Sequence, residues 1–319
     1  MSSELPQGLR RRVNAWLAQN DQGSQREAVR TLSARYAAGQ TSTAIGLAPY
    51  LAARMPATFA AVAAVLAEVA KLSPEFAPTT ALDVGAGPGT ASFAAFAQWP
   101  SLKHFTLVES DPRFAELAQA LAHNELPNFE ILHQRLQQLQ SHAEVVMAAY
   151  VMVELPEAEV PAVALKLWRA CDDTLVLVEP GTPQGFARLR AARTALINQG
   201  ANLIGPCTHQ NACPMTGNDW CHFKTRLARS REHMHAKGAS VPFEDEAYSW
   251  LAVKRFPVTR EQARIITPPK ASKVGIRLNL CSATGLQEDL IASRAKATYK
   301  RARKLKWGDG FSLSESGEA

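Results

Sequence analysis

Between residues 80 and 200, short apolar runs alternate with segments whose apolar residues recur at helical spacing. The runs ALDV (81–84), FTLVE (105–109), FEIL (129–132), EVVMAAYV (144–151) and TLVLVE (174–179) each predict a buried strand. Helices are predicted between them, near 91–98, after Pro112 on the face Phe114, Leu117, Ala118 and Leu121, and over 156–170. A further helix carries Phe186, Leu189 and Leu196. This alternation predicts an α/β fold, a Rossmann-like doubly wound and largely parallel sheet.

Before residue 80 the pattern is helical. Leu9, Val13, Trp16 and Leu17 follow helical spacing, and two short helices are expected over 6–38. A Thr/Ser/Gly loop at 39–46 precedes a longer helix from Ala48 to Leu72, with Pro56 marking a break or a fresh start. After residue 200 the alternation stops. Residues 201–240 hold three cysteines, two prolines and four histidines with few apolar runs, too little for a large core without another staple. Strands return at YSWLAVKR (248–255) and VGIRLNLC (274–281), and are expected to finish the sheet. The expected divisions are an N-terminal helical region (1–75), a Rossmann-like core (76–200), a cysteine-rich metal-binding insertion (201–240), strands completing the sheet (241–293) and a basic tail (294–319).

With 319 residues, 46% hydrophobic and 20% charged, the composition is that of an ordinary globular chain and excludes collagen, coiled coil and wholesale disorder. The longest apolar stretch, Ala57 to Ala67, ends at Glu68, short of the roughly 20 residues a spanning helix needs, so no membrane partner is expected. No apolar signal segment opens the chain. Arg10, Arg11 and Arg12 fit an organelle transit peptide, but the helix beginning beside them favours a cytoplasmic location, with the mitochondrial matrix as the alternative. Charge divides the chain. Residues 1–180 hold 13 Lys+Arg against 18 Asp+Glu, a net of −5, whereas residues 181–319 hold 22 against 11, a net of +11. The basic half is the half suited to a polyanion.

The first strand runs into Asp83-Val-Gly85-Ala-Gly87-Pro-Gly89, with a helix after it. Glycines there permit a tight turn and close approach of a ligand, and a helix N-terminus offers free N–H groups. The spacing differs from the G-x-G-x-x-G of dinucleotide enzymes. It resembles the S-adenosylmethionine (SAM) site of class I methyltransferases. That resemblance implies Asp83, Gly85, Gly87 and Gly89 around the amino-acid part of SAM and Glu109, at the second strand's end, on the ribose. A structural turn in an unrelated α/β fold is the alternative. Asp111 reads instead as the cap of the helix at Pro112.

Cys207, Cys213 and Cys221 are spaced C-x5-C-x7-C, and Cys281 ends a predicted strand. Grouped thiols in a Pro/Gly/Asn loop fit a soft metal centre. The spacing matches neither the paired C-x2-C of common zinc sites nor ferredoxin. Four thiolates suffice for a 4Fe–4S cluster. Zinc, with His209 or His222 as substitutes, and unliganded thiols remain open. Pro206-Cys207-Thr208 also resembles the nucleophile tripeptide of RNA cytosine-C5 methyltransferases, but follows the fifth strand rather than the fourth. The fourth strand lacks the Asp/Asn-Pro-Pro-aromatic motif of amino-methyltransferases. Tyr150, Glu154 and Glu179 are the catalytic candidates, none of them standing out as a general base.

Residues 294–306 carry seven cations in 13 residues, with Tyr299 inside and Trp307 just after. Lys300, Arg301, Arg303, Lys304 and Lys306 there, with Arg226 and Arg229 beside the cysteines, suit RNA better than a merely solvated face. Together, ARMPATFAAV (53–62), LDVGAGPGTAS (82–92), AYVMVELP (149–156), LVLVEPGTPQGF (175–186), the block from Pro206 to Arg229, Cys281 and the closing WGD (307–309) resemble a known family. It comprises bacterial and mitochondrial methyltransferase-like proteins associated with assembly of the small ribosomal subunit. The resemblance implies SAM binding, a 4Fe–4S cluster on Cys207, Cys213, Cys221 and Cys281, and contact with small-subunit ribosomal RNA. The resemblance equally admits an assembly factor that keeps the fold without transferring a methyl group, which the absent fourth-strand motif accommodates.

Overall fold

The computed structural model describes residues 3–20, 31–32, 46–228, 234 and 240–312. Helix α1 (Gln7–Asn20) bears out the first N-terminal helix. The second expected helix, the 39–46 loop and Arg229 lie almost wholly outside the described residues. Helix α2 (Met55–Leu72) is entered through an α turn (Leu47–Pro49) and a π turn (Tyr50–Arg54), so the helical register changes just before Pro56.

The strands β1 (Thr80–Val84), β2 (His104–Glu109), β3 (Asn128–His133), β4 (Ala143–Ala149) and β5 (Cys171–Pro180) pair in parallel in the order β3-β2-β1-β4-β5. Their near-continuous apolar runs follow from burial on both faces. Helices α3 (Thr90–Gln98) and α4 (Pro112–Ala122) join α1 and α2 in the core on one side. Helices α5 (Val160–Arg169) and α6 (Pro183–Asn198) fill the other. Asp111 caps α4 by accepting from the Arg113 N–H at 2.9 Å, with Pro112 at the first helical position. Thr182 caps α6 in the same way through the Gly185 N–H.

Helix Leu47–Leu72 is long and apolar enough to cross a membrane by length and composition, with mean hydropathy 1.5. This corrects the expectation that no stretch reaches that length. Met55, Phe59, Val62, Leu66 and Val69 are fully or almost fully buried, so its apolarity is used in the protein core.

Strand β8 (Phe243–Lys254) lies antiparallel to β5 and holds both β6 (Asn202–Gly205) and β7 (Phe223–Ala228) on its other edge. The stretch 201–240 is therefore not all loop, since Asn202–Gly205 and Phe223–Ala228 both supply strands to the main sheet. Between them, residues 206–222 form no helix or strand. Side chains hold that backbone instead: Arg193 donates to the His209 and Asn211 carbonyls at 2.7 and 2.8 Å, and Ser249 donates to that of Cys221 at 2.7 Å.

The strand at 274–281 does not finish the main sheet. It forms β11 (Gly275–Ser282) in a second, five-stranded sheet with β9 (Ala263–Ile265), β10 (Lys270–Ala271), β12 (Gly285–Ala292) and β13 (Gly310–Phe311). The reason is its alternation. Ile276, Leu278 and Leu280 enter a small core while Arg277, Asn279 and Cys281 face the other way, the pattern of a strand with one apolar face. Helix α7 (Lys296–Ala302) packs on this sheet through Ala302, and β13 pairs with β9, so residues 296–311 are built into the fold.

One buried ion pair ties α2's entry turn to β8. Arg54 donates to both Glu246 oxygens at 2.8 and 3.3 Å. Removing one partner of such a pair strands a buried charge. Glu246→Ala is expected to lower the unfolding free energy by about 3–5 kcal/mol, read by urea denaturation. A loss below about 1 kcal/mol would show that the pair does not anchor these elements.

Candidate SAM cleft and cysteine cavity

The strand order reverses between β1 and β4, and the crevice outside their carboxyl ends is where open α/β sheets bind ligands. An open cleft of about 350 Å³ lies there, with Tyr50, Gly85, Gly87, Glu109, Tyr150 and Glu154 among its walls. Gly85, Gly87 and Gly89 have φ of 69°, 54° and 85°. At Gly85 an added Cβ would also stand 2.5 Å from Val151 Cγ2, so the turn excludes any side chain there. Glu109 spans the turn. One carboxylate oxygen accepts from the Gly87 N–H and the other from the Asp111 N–H, both at 2.8 Å.

Asp83 stays out of the cleft. It is 1% exposed and accepts from the Ser92 N–H at 3.0 Å and the Ser92 hydroxyl at 2.8 Å, tying β1 to the first turn of α3. Burial pushes its pKa up to about 6. Gly89 caps α3 in the left-handed region and likewise shapes the turn without lining the cleft.

The three catalytic candidates separate clearly. Tyr150 has φ of 61°, and its hydroxyl donates to Glu246 at 3.1 Å, with the Arg54 guanidinium 5.4 Å over its ring. Burial, then the Glu246 charge, raises its pKa well above normal. Glu179 is fully buried and accepts from the Met152 and Val153 N–H groups at 2.7 and 3.0 Å. It shapes the turn after β4 and does not line the cleft. Glu154 does line it, and burial, reinforced by Glu109, raises its pKa to about 7. Of the three, Glu154 is the one whose proton exchanges near neutrality within the cleft.

Sequence reasoning missed Tyr50, Arg54 and Glu246. For Glu246 a signal existed. Alternation along β8 sets it on the same face as buried Tyr248 and Trp250, where an acid needs a partner.

Cys207, Cys213, Cys221 and Cys281 all line one small cavity of about 40 Å³, with Arg193 and Arg264 in its wall. Burial raises the pKa of Cys207, raises that of Cys221 well above normal, and pushes Cys281 up to about 12. Neighbouring thiols reinforce each rise, while Arg193 and Arg264 oppose it at Cys207. Such thiols ionise together only when a cationic centre compensates them. Among the described residues no three His, Cys, Asp or Glu groups are placed to hold one metal ion. Cys171 is a separate buried thiol. His209 Nε2 lies 3.7 Å from the Cys281 sulfur, whereas His222 stacks on Trp220 with ring centroids 5.0 Å apart.

Of the expected RNA-facing cations, Lys300, Arg301, Arg303, Lys304 and Lys306 are exposed on α7 and the segment after it. Arg226 is also exposed, but its guanidinium is engaged: it grips Asp245 at 2.7 and 2.9 Å and lies 4.3 Å over the Phe243 ring.

The sequence profile of a family described as mitochondrial small ribosomal subunit Rsm22 matches residues 45–312. The chain belongs to the Rsm22 family. A human relative named ribosome assembly protein METTL17, mitochondrial, is 26% identical over 282 residues, covering 82% of this chain and 61% of its own length. The Rsm22-cox11 tandem protein 2, mitochondrial, of Schizosaccharomyces pombe is 24% identical over 321 residues, covering 83% and 43%. The chain thus spans between about two fifths and three fifths of these relatives. Among solved structures it is similar to magnesium protoporphyrin IX methyltransferase from Synechocystis PCC 6803 with bound SAM. That likeness has a TM-score of 0.42 and 15% identity, covering 74% of this chain and all of the other. The ribosomal protein L11 methylase of Lactobacillus delbrueckii subsp. bulgaricus has a TM-score of 0.35 and 13% identity, covering 59% and 76%.

The buried acids make stability depend on pH. Glu179, with an ordinary pKa of 4.5 raised to about 8, keeps in the folded chain a proton that the unfolded chain has released. Stability therefore falls as pH climbs from about 4.5 and levels off above about 8, at up to about 1.4 kcal/mol per pH unit from this group. Glu179→Gln is expected to flatten that slope in urea melts taken between pH 5 and 8. An unchanged slope would show that Glu179 is already ionised in the folded chain.

Proposed function

We propose that this Rsm22-family chain binds SAM in the β1/β4 cleft, carries a 4Fe–4S cluster on Cys207, Cys213, Cys221 and Cys281, and acts on or with small-subunit ribosomal RNA during ribosome assembly. The observation that carries the reading is the meeting of these four thiols, drawn from the 206–222 loop and from β11, at one cavity in a member of this family. Support for SAM comes from the glycine turn, the Glu109 carboxylate at the cleft wall and the position of the cleft at the strand reversal. When bound, SAM supplies an electrophilic methyl group; Glu109 would accept from its ribose hydroxyls and the glycine turn would admit it to the backbone. A cluster would be held by the four cysteines as thiolates and would lock the loop to the second sheet.

The names of the relatives favour the mitochondrial matrix over the expected cytoplasmic location. The same names support a small-subunit partner, and the exposed cations of α7 support ribosomal RNA as the part touched. A non-catalytic assembly factor is the second reading. It is favoured by Tyr150 and Glu179, whose polar atoms are committed to Glu246 and to the 152–153 backbone.

Two experiments test the proposal. Calorimetry is expected to detect SAM binding to the purified chain and to lose about tenfold or more in affinity with Glu109→Ala. No binding by the wild-type chain would overturn the SAM assignment. Sedimentation with small-subunit precursors is expected to weaken with added salt, and to weaken further when Lys300, Arg303 and Lys304 are together changed to Glu. Association indifferent to both would overturn the RNA assignment.

A further inference from the structure

A second cavity, of about 110 Å³, lies away from the SAM cleft. It is walled by Phe223 of β7, Tyr248 and Trp250 of β8, Glu68 of α2, and Trp307 and Asp309 of the segment after α7. Phe223, Tyr248 and Trp250 belong to the apolar core, whereas Trp307 is only partly buried and packs against it beside the two carboxylates. Phe223 and Trp307 are tilted at 46° with centroids 6.3 Å apart, and Phe223 and Tyr248 at 40° with centroids 6.2 Å apart, so the rings enclose a space rather than stack shut.

Two ligand chemistries suit aromatic walls, a cation held over the rings or a planar base stacked on them. The surroundings decide between them. Lys224 already stands 5.9 Å over the Trp307 ring. Lys71 lies 3.6 Å from Glu68, and Lys306 is next to Trp307. Arg264 donates to the other Glu68 oxygen at 2.5 Å. Two exposed lysines therefore stand on lining residues, Lys71 on Glu68 and Lys224 over Trp307, which repels a small cation and attracts a polyanion. Inside, both Glu68 oxygens are engaged, and the Trp307 Nε1–H is a buried donor with no partner. Asp309 uses one carboxylate oxygen to accept from the Lys306 N–H at 2.8 Å, and its other oxygen remains an acceptor. An acceptor beside a donor suits the edge of a base, and among bases a purine stacks more strongly on an aromatic ring than uracil does.

We propose that this pocket receives one unpaired base of an RNA strand, a purine in preference to uracil, stacked against Trp307, while Lys71, Lys224 and Lys306 hold the adjoining phosphates. The proposal rests on the RNA reading above and deepens it, since it names where a base is gripped. Bases splayed from single-stranded RNA are recognised in this manner, by stacking on aromatic side chains and hydrogen bonds to their edges. The pocket also explains why Trp307 follows the cationic segment so closely. The segment brings phosphates to the site where the ring takes the base.

The test uses the full purified chain and a single-stranded RNA 12-mer of uridines with one central 2-aminopurine, a fluorescent purine. Binding is expected to quench its fluorescence, and affinity should exceed that for the all-uridine 12-mer by about tenfold. Trp307→Leu should abolish most of the quenching and bring the two affinities together. Lys224→Glu with Lys306→Glu should weaken both RNAs alike. Because Trp307→Leu alters packing, the preference of the wild-type chain for the 2-aminopurine strand is a second reading that needs no variant. Salt-sensitive binding with no quenching and no preference would overturn the base pocket and leave the RNA reading intact. No binding of either strand at low salt would overturn both. Displacement of the bound strand by millimolar tetramethylammonium at constant ionic strength would overturn the pocket in favour of a cation site.

Discussion

Strand β8 is hydrogen-bonded along both edges, and the rest of the molecule is arranged around that constraint. One edge accepts β5 and so closes the parallel part of the sheet. The other holds β6 and β7, the two ends of the cysteine loop. Because its side chains alternate between faces, the same strand delivers Glu246 to Arg54 and Tyr150 near the cleft and Tyr248 and Trp250 to the aromatic pocket. On its opposite face, Ser249 reaches the Cys221 carbonyl. A shift of one residue in its register would exchange these faces and disturb all three places at once.

Arg264 has a related role at the second sheet. Its guanidinium is 2% exposed and donates to the Pro206 and Gly308 carbonyls at 3.0 and 2.7 Å while pairing with Glu68. One side chain thereby ties the start of the cysteine loop, the segment carrying Trp307 and helix α2. The cavity lined by thiols and the pocket lined by aromatics share Trp250, so the two are neighbours built on one framework. The buried guanidiniums that satisfy the loop backbone also temper the thiols' reluctance to ionise at Cys207.

Where local pattern and tertiary environment agree, the fold was legible from residues alone. The five parallel strands and α3 to α6 read correctly because apolar runs and helical spacing are unambiguous there. The Asp111-Pro112 helix start was legible for the same reason. Strands β6 and β7 were not, since both are short and lie in a stretch dominated by Cys, His and Pro, and their pairing depends on a partner 15 to 52 residues later in the chain. Alternation in β11 did carry the sign of a one-faced sheet, but was read as a strand finishing the main sheet. Within the cleft, the glycine turn and Glu109 were visible as a motif. The burial of Asp83 and the sealing of Glu179 by backbone N–H groups depend on how α3 and the 152–154 turn fold back, which no spacing encodes.

The central claim is that Cys207, Cys213 and Cys221 of one loop and Cys281, sixty residues further along the chain, form one iron–sulfur site. Its most direct measurement is anaerobic purification of the chain followed by iron, sulfide and zinc analysis with an absorbance spectrum. The account predicts a brown protein with about four irons and four sulfides per chain, lost when Cys213 is changed to Ala. A colourless protein with stoichiometric zinc, or one free of metal that keeps its stability and RNA binding, would contradict it.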